Sequence, residues 1–479
     1  MARSNVLGRL VGVLVAALVA GAAALLWFAV SASANDVEEE PSETLILGVW
    51  DVFYETRAPS PQVVAMAVAL AIFFAVGVAL LERRAAKRSR RSLNPRVMPL
   101  APKVVMAETR GVFAGEVTIT VLIPAHNEEG SILATLASLV SQSRPPERII
   151  VVADNCTDAT ISLAESAGVE VFVTSNNTKK KAGGLNQALV EVLPGQGDND
   201  IVMIMDADTV LNDGFLESAV RRFTNDRALM AVGGMFYGDE GCGLIGQIQR
   251  NEYVRYGREI ARRRGRVFVL TGTASMFRPR ALREVAKQRG NTIPGNFGDV
   301  YDTVALTEDN ELTIALKTLG ALMISPSECR VVTELMPTMA TLWRQRLRWQ
   351  RGALENIGAY GITPATFRYW AQQMGIGYSV IALYAFFLMM LITVLSVDRW
   401  IWFPFWAGLG VVFVVERVVT VWKGGWRARL LAALLLPELL FDVYLNTIYV
   451  KGIIDLTLGR QPAWTHLPNV APSKGELAA

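Results

Sequence analysis

Two carboxylates one residue apart, Asp206 and Asp208, follow the apolar run 201–204. In an open α/β sheet, ligands bind beyond the carboxyl ends of the strands. A pair of this kind on such a turn can hold one hard divalent cation, Mg²⁺ or Mn²⁺, which takes oxygen ligands and shares them with substrate phosphates. An Asp-x-Asp alone more often marks a solvated turn; the apolar run in front of it raises its weight. Two further apolar runs end in polar groups. Pro124-Ala125-His126-Asn127-Glu128-Glu129 follows one, and Asp154-Asn155-Cys156-Thr157-Asp158 follows the other. Both place acidic and amide groups where a nucleoside can be hydrogen-bonded, although Asn127, Glu128 and Asp158 also suit helix capping. His126 reads as a turn residue. Lys181, ahead of Ala182-Gly183-Gly184-Leu185-Asn186, can reach a pyrophosphate while backbone N–H groups offer anion contacts. Lys179 and Lys180 read as solvated loop. Thr307-Glu308-Asp309 offers a carboxylate as general base. Gln345-Arg346-Leu347-Arg348-Trp349 is a basic and aromatic cluster that by itself reads as an interfacial amphipathic helix.

The elements that must position these groups alternate between apolar runs rich in Val and Ile and helical patterns, the signature of a mostly parallel α/β sheet. Strands are expected over 117–123, 148–153, 169–173 and 201–205, and helices over 131–141, 182–193 and 213–224. No internal repeat is visible. The chain is 52% hydrophobic over 479 residues with mean hydropathy +0.31, which points to a globular part joined to membrane segments. Four stretches reach the roughly 20 apolar residues that a bilayer needs: 11–30, 62–81, 376–397 and 400–422. The first has Arg3 and Arg9 in front and a small-residue end, features of a signal peptide, but its apolar core is long enough to read as an anchor. After the second come Arg83, Arg84, Lys87, Arg88, Arg90 and Arg91, whereas Asp36, Glu38, Glu39 and Glu40 lie between the first two. The positive-inside bias therefore makes the chain between the second and third stretches cytoplasmic.

The resulting organisation is two N-terminal transmembrane helices (1–82), a basic cytoplasmic linker (83–103) and a globular α/β region (104–335). Interfacial helices (336–373), a C-terminal transmembrane region (374–458) and a loop and tail (459–479) complete it. Within the C-terminal transmembrane region, 429–458 carries Pro437, Glu438 and Asp442, which are costly at mid-bilayer and suggest a broken, re-entrant or interfacial element. The net charge of +3 gives no reason to expect nucleic acid, and the basic cluster fits contact with anionic lipid. Cys156, Cys242 and Cys329 show no paired spacing, and with only His126 and His466 a thiolate or His-rich metal site is not expected.

Taken in order, these motifs resemble the processive branch of the family-2 glycosyltransferases, which includes the hyaluronan, cellulose, chitin and poly-N-acetylglucosamine synthases. The resemblance covers about 117–356. It rests on Pro124 to Glu129, Asp154, Lys181 to Asn186, Asp206 and Asp208, Thr307-Glu308-Asp309 and Gln345 to Trp349. Asn155 stands near a position often acidic in the family, and His126 replaces a common Tyr. The resemblance implies a GT-A-type nucleotide-sugar-binding domain and a UDP-sugar donor. Asp154 and Asp206 would bind the uridine, with Pro124, Asn127 and Glu128 on the donor side. Lys181 and Arg348 would contact the phosphates, and Asp208 would ligate Mg²⁺ or Mn²⁺. Asp309 would deprotonate the acceptor. Glu308, Gln345, Trp349 and the Thr271-Gly272-Thr273 loop would face the acceptor, and Trp464-Thr465 looks like the family's gating loop.

It also implies a single displacement that inverts the anomeric centre, extending a β-linked polysaccharide coupled to export at the plasma membrane. Transfer of one sugar to a lipid-linked acceptor is the rival within enzymes. A non-catalytic membrane scaffold is the rival of another class, and it would be expected to have lost one of Asp206, Asp208 and Asp309.

Overall fold

The computed structural model describes residues 42–46, 50–54, 61–109, 116–263, 265–396 and 404–460. They fall into two compact units, one of residues up to 84 with 361–460 and one of residues 85–360. The stretch 11–30 and the tail with Trp464 and Thr465 lie outside the described residues.

The first unit holds an antiparallel pair, β1 (Ser42–Ile46) and β2 (Trp50–Tyr54), and is otherwise helical. The helix Pro61–Arg91 runs through the 62–81 stretch and on through the basic cluster. The expected linker therefore begins as helix, because Leu, Ala, Arg and Lys are strong helix formers and neither Gly nor Pro interrupts 78–91. Phe73 and Phe74 on it are 71% and 56% exposed. Further helices are Phe367–Ser396, Pro404–Thr420, Gly425–Ala433 and Leu436–Thr457. Among the described residues one segment, Phe367–Leu388, passes as long and apolar enough to cross a membrane. The ambiguous 429–458 stretch resolves into two helices. Pro437 sits in the first turn of the second, where its missing N–H costs nothing. Arg417 pairs with Glu438 (3.6 Å) and with Asp442, so both acids of that stretch have a counter-charge.

The second unit is built on a seven-stranded sheet. In chain order its strands are β3 (Ile119–Ala125), β4 (Arg148–Ala153), β5 (Glu170–Val173), β6 (Ile201–Met205), β8 (Leu229–Gly233), β10 (Ala274–Phe277) and β11 (Leu322–Ile324). Three others, β7 (Thr209–Leu211), β9 (Met235–Gly238) and β12 (Arg330–Thr333), form a small sheet in the order β7-β12-β9. The large sheet runs β11-β8-β10-β6-β3-β4-β5, parallel except for β10, which is antiparallel to both neighbours. Its central strands are buried on both faces, which is why they read as unbroken apolar runs. Alternate residues feed two cores: Val202 and Ile204 point into one, Ile201, Met203 and Met205 into the other. Strands 148–153 and 201–205 match the sequence pattern. The first strand runs to Ala125, past Pro124, and the helices shift by one or two residues at their ends.

The unit runs on to Tyr360, so the helix Met339–Tyr360 belongs to it, whereas the sequence pattern ends the globular region at 335. Part of the reason is a buried charge network. Arg289 grips Glu311 in two bonds of 2.6 and 2.7 Å and donates to the carbonyls of Pro294 (2.8 Å) and Val300 (2.6 Å). The Tyr360 hydroxyl donates to the same Glu311 carboxylate at 2.5 Å. Removing one partner strands a buried charge, at a cost of about 3–5 kcal/mol. We expect Glu311→Ala to lower the unfolding free energy of this unit by that amount, read as a lower denaturant midpoint at unchanged slope, and Glu311→Gln to lower it less. Equal midpoints for wild type and Glu311→Ala would contradict the network's role.

Candidate active site

Four charged side chains meet beyond the carboxyl end of β6. Lys181, in the first turn of the helix Lys180–Val192, places Nζ 2.6 Å from Asp206 Oδ1, 3.5 Å from Glu308 Oε1 and 3.9 Å from Asp309 Oδ2. Asp206 follows β6, and its N–H donates to the carbonyl of Gly272 (3.1 Å). Glu308 and Asp309 open the helix Glu308–Thr318, where the helix dipole favours negative charge. The backbone at Gly272 runs between them. A Cβ there would lie 2.3 Å from Asp309 Oδ2, 2.8 Å from Lys181 Nζ and 3.1 Å from Asp206 Oδ2, so any larger residue must displace these side-chain ends.

Burial pushes the Asp309 carboxyl up to about 7; Glu308 and Asp206 push the same way, while Lys181 and Arg348 pull it down. Arg348, on the helix Met339–Tyr360, is near enough to exert that pull. For Lys181, burial opposes the charge, but Asp206, Asp309 and Glu308 together hold its pKa well above the ordinary value. Asp208 is also pushed up to about 7, by burial and then by Asp206, Glu128 and Glu334. Carboxylates that crowd one another without a cation are the donor chemistry a hard divalent ion requires. Among the described residues no three His, Cys, Asp or Glu side chains form a complete cage, so an ion at Asp208 would share oxygens with substrate.

At the end of β4, Asp154 is buried, and its Oδ1 accepts from Thr174 (2.8 Å), Asn177 (2.8 Å) and Asn155 (3.0 Å). No hydrogen bond to its Oδ2 is found among the described residues. Gly183 makes this arrangement fit, since a Cβ there would meet Asn177 Oδ1 at 2.2 Å. The glycines after Lys181 thus admit the side chains that orient Asp154. Asn127 and Asn155 both sit at positive φ, 58° and 51°, a region asparagine tolerates. The Asn127 amide oxygen accepts from the Thr157 N–H (2.8 Å), and Asp158 accepts from the Glu129 N–H (3.1 Å). These groups tie the β3 and β4 loops together, and Asp158 also bonds the Thr160 N–H at 3.0 Å at the start of its helix. Glu128 accepts from the Ser131 hydroxyl at 2.8 Å, and Pro124 is half-buried just before this loop.

On the other side, Thr271 and Thr273 share a hydroxyl bond of 2.8 Å across Gly272. Asn356 donates to both the carbonyl and the hydroxyl of Thr307, each at 3.1 Å, and so pins the turn before Glu308 to the helix that carries Gln345, Arg348 and Trp349. Asn356 lies two turns beyond Arg348, a spacing that could have marked it in the sequence. Trp349 is about one-third exposed, at 36%. Beneath it Arg346 is fully buried, 4.2 Å from the indole ring and 2.8 Å from Glu252. Gln345 accepts from Arg346 at 3.3 Å. Arg346, Asn177 and Asn356 all support the site, and none was assigned a role from the sequence.

Residues 116–352 match the family model described as "Glycosyltransferase like family 2". The chain carries a family-2 glycosyltransferase domain. Its curated relatives include the poly-beta-1,6-N-acetyl-D-glucosamine synthase of Staphylococcus aureus (strain MSSA476), 28% identical over 246 residues, 50% of this chain and 55% of the relative. The Staphylococcus epidermidis synthase of the same name is 27% identical over 249 residues, with the same coverage. The chain thus spans about half the length of these relatives. Among solved structures, the mannosyltransferase PcManGT from Pyrobaculum calidifontis, in complex with GDP-Man and Mn²⁺, aligns over 83% of this chain and 99% of its own. Its TM-score is 0.50 at 16% identity, a likeness of fold. The glycosyltransferase fold is GT-A-like, with the mostly parallel sheet described above.

The close approach at Gly272 yields a direct test. Gly272→Ala must push apart Asp309, Lys181 and Asp206, and a misplacement of about 1 Å at a reacting centre can cost on the order of 10²-fold. We expect sugar transfer to fall by about that factor while the far-ultraviolet circular dichroism stays that of wild type. An alanine variant at full rate would show that this contact does not set the geometry.

Proposed function

We propose that this chain transfers a sugar from a UDP-sugar to a growing glycan with inversion, extending a β-linked polysaccharide from the cytoplasmic side of a membrane. The observation that carries the reading is the placement of Asp309 3.9 Å from Lys181, across Gly272, inside a family-2 domain. Asp309 accepts the acceptor's hydroxyl proton as the oxygen attacks the anomeric carbon. A carboxylate at about 7 is a better base than a free one and is about half ionised at neutrality. Lys181 and Arg348 face the diphosphate. Asp154, oriented through Oδ1, and Asp206 hold the nucleoside, with Pro124 at the end of β3 and Asn127 and Glu128 in the loop after it also on the donor side. Thr271, Thr273, Glu308, Gln345 and Trp349 line the acceptor side. A Mg²⁺ or Mn²⁺ held by Asp208 would stabilise charge on the departing diphosphate as a Lewis acid; the mannosyltransferase of similar fold was itself solved with Mn²⁺.

The relatives named as poly-beta-1,6-N-acetyl-D-glucosamine synthases support polymer formation and favour UDP-N-acetylglucosamine as the first donor to try. The exposed apolar side chains of Pro61–Arg91 and the helix Phe367–Leu388 support membrane embedding, with the basic cluster Arg83 to Arg91 on the inner face.

The full-length chain should be incubated with a panel of UDP-sugars and Mn²⁺, reading UDP release and product size. We expect one UDP-sugar to give β-linked polymer, with turnover stopped by excess chelator and by Asp208→Ala. A product one sugar longer than its acceptor would favour single transfer, and full turnover in chelator would remove the metal.

For the base, kcat/KM should rise with pH through about 7, because protonated Asp309 cannot accept a proton. Asp309→Asn should lower the rate by at least about 10²-fold at every pH while donor affinity stays near wild type. A flat pH profile in wild type, or a tenth of the rate in the variant, would count against Asp309 as base.

A further inference from the structure

Asn186 ends the glycine-containing segment after Lys181, yet no step of the reaction uses it. It sits inside the helix Lys180–Val192, where asparagine is a poor helix former. Its side chain is buried and makes three hydrogen bonds to one short stretch of backbone. Its Oδ1 accepts from the N–H groups of Val300 (3.1 Å) and Tyr301 (2.8 Å), and its Nδ2 donates to the Tyr301 carbonyl (2.9 Å). The amide thus acts as a clamp on residues 115 positions away in sequence.

The clamped stretch is also held from its other side. Arg289 donates to the carbonyls of Asp299 (3.3 Å) and Val300 (2.6 Å) while gripping Glu311, two residues beyond Asp309 on the same helix. Residues 299–301 therefore bridge the helix of Lys181 to the helix of Asp309. The Tyr301 ring is buried between them and lines a small cavity with Thr271, Gly272, Leu312 and Asp309.

We infer that Asn186 is a positioning residue that sets the spacing of Lys181 and Asp309 by clamping the Val300–Tyr301 backbone. That spacing has chemical content. At 3.9 Å the ammonium is near enough to favour the ionised carboxylate but beyond hydrogen-bond reach, so Oδ2 keeps a lone pair for the acceptor proton. A shift of about 1 Å in either direction would tie up the base or leave it unsupported, at a cost on the order of 10²-fold. The role rests on the proposed use of Asp309 as base.

Asn186→Ala removes all three bonds. Asn186→Asp keeps both acceptor contacts and loses the donor to the Tyr301 carbonyl. Full-length wild type and both variants should be compared by UDP release, by calorimetric titration with UDP and Mn²⁺, and by amide hydrogen exchange without ligand. We expect kcat to fall about 10- to 100-fold in Asn186→Ala and less in Asn186→Asp, with UDP affinity within about threefold of wild type. Exchange should quicken at Val300, Tyr301 and 307–309 and remain unchanged over β3, β4 and β6. Wild-type kcat in Asn186→Ala, parallel loss of UDP affinity and kcat, or exchange quickened throughout the domain in both variants would overturn the inference. If wild type turned over no nucleotide sugar, the functional reading would fail. The exchange pattern would still decide the clamp, with local quickening supporting it and unchanged exchange at Val300 and Tyr301 overturning it.

Discussion

One ammonium group shared among three carboxylates organises the larger unit. Asp206, Glu308 and Asp309 converge from a strand end and a helix start, and without a cation they would repel one another. Lys181 supplies that cation, and glycine at position 272, in the middle of the group, lets the four side chains meet without displacement. The order β10-β6-β3 brings the Gly272 backbone beside Asp206, because β10 enters antiparallel between β6 and β8 and so begins where β6 ends. The single antiparallel strand of the large sheet is therefore what delivers the Thr271-Gly272-Thr273 segment to the carboxyl ends of the parallel strands.

Around this centre the unit adds buried polar links to its apolar packing. Asp154 is aimed by Thr174 and Asn177, the turn at Thr307 is pinned by Asn356, and Arg289, Glu311 and Tyr360 join three segments in one network. Hydrogen bonds are directional, and a buried one that fails leaves an unsatisfied group costing about 1–3 kcal/mol. Such links hold a side chain to one orientation, whereas an apolar contact allows sliding. Groups that must act on a reacting bond need that restriction. Trp349 is treated likewise, its ring backed by the buried Arg346 guanidinium rather than by an aliphatic surface.

The smaller unit follows other physics. Its helices leave large apolar side chains exposed, among them Phe73, Val411 and Val412, while Arg417 is matched to Glu438 and Asp442. Apolar surface left outward, with these charges paired, is what supports the membrane embedding proposed above.

From the sequence alone, the apolar runs before Asp154 and Asp206 were legible as strands, since burial on both faces leaves no polar interruption. The charged residues that meet around Gly272 were candidates too, because Asp206 directly follows an apolar run and Lys181 and Thr307-Glu308-Asp309 stand in distinct motifs. Tertiary structure decided which of them meet. Glu308 and Asp309 reach Lys181 across more than a hundred residues of chain, a closure set by sheet order and invisible to local pattern. It also separated the partners of neighbouring polar residues. Asn127 and Asp158 read as nucleoside contacts or caps, and the fold uses them to lock two loops together. Asn186 stood out only as the end of the Lys181 to Asn186 segment; its clamp was invisible, because a side-chain amide declares its role only through the backbone it touches, and that backbone lies up to 115 residues away. Composition and periodicity record burial, which is a property of one element. Contacts between elements depend on how the strands are ordered, and that order exists only in the folded chain.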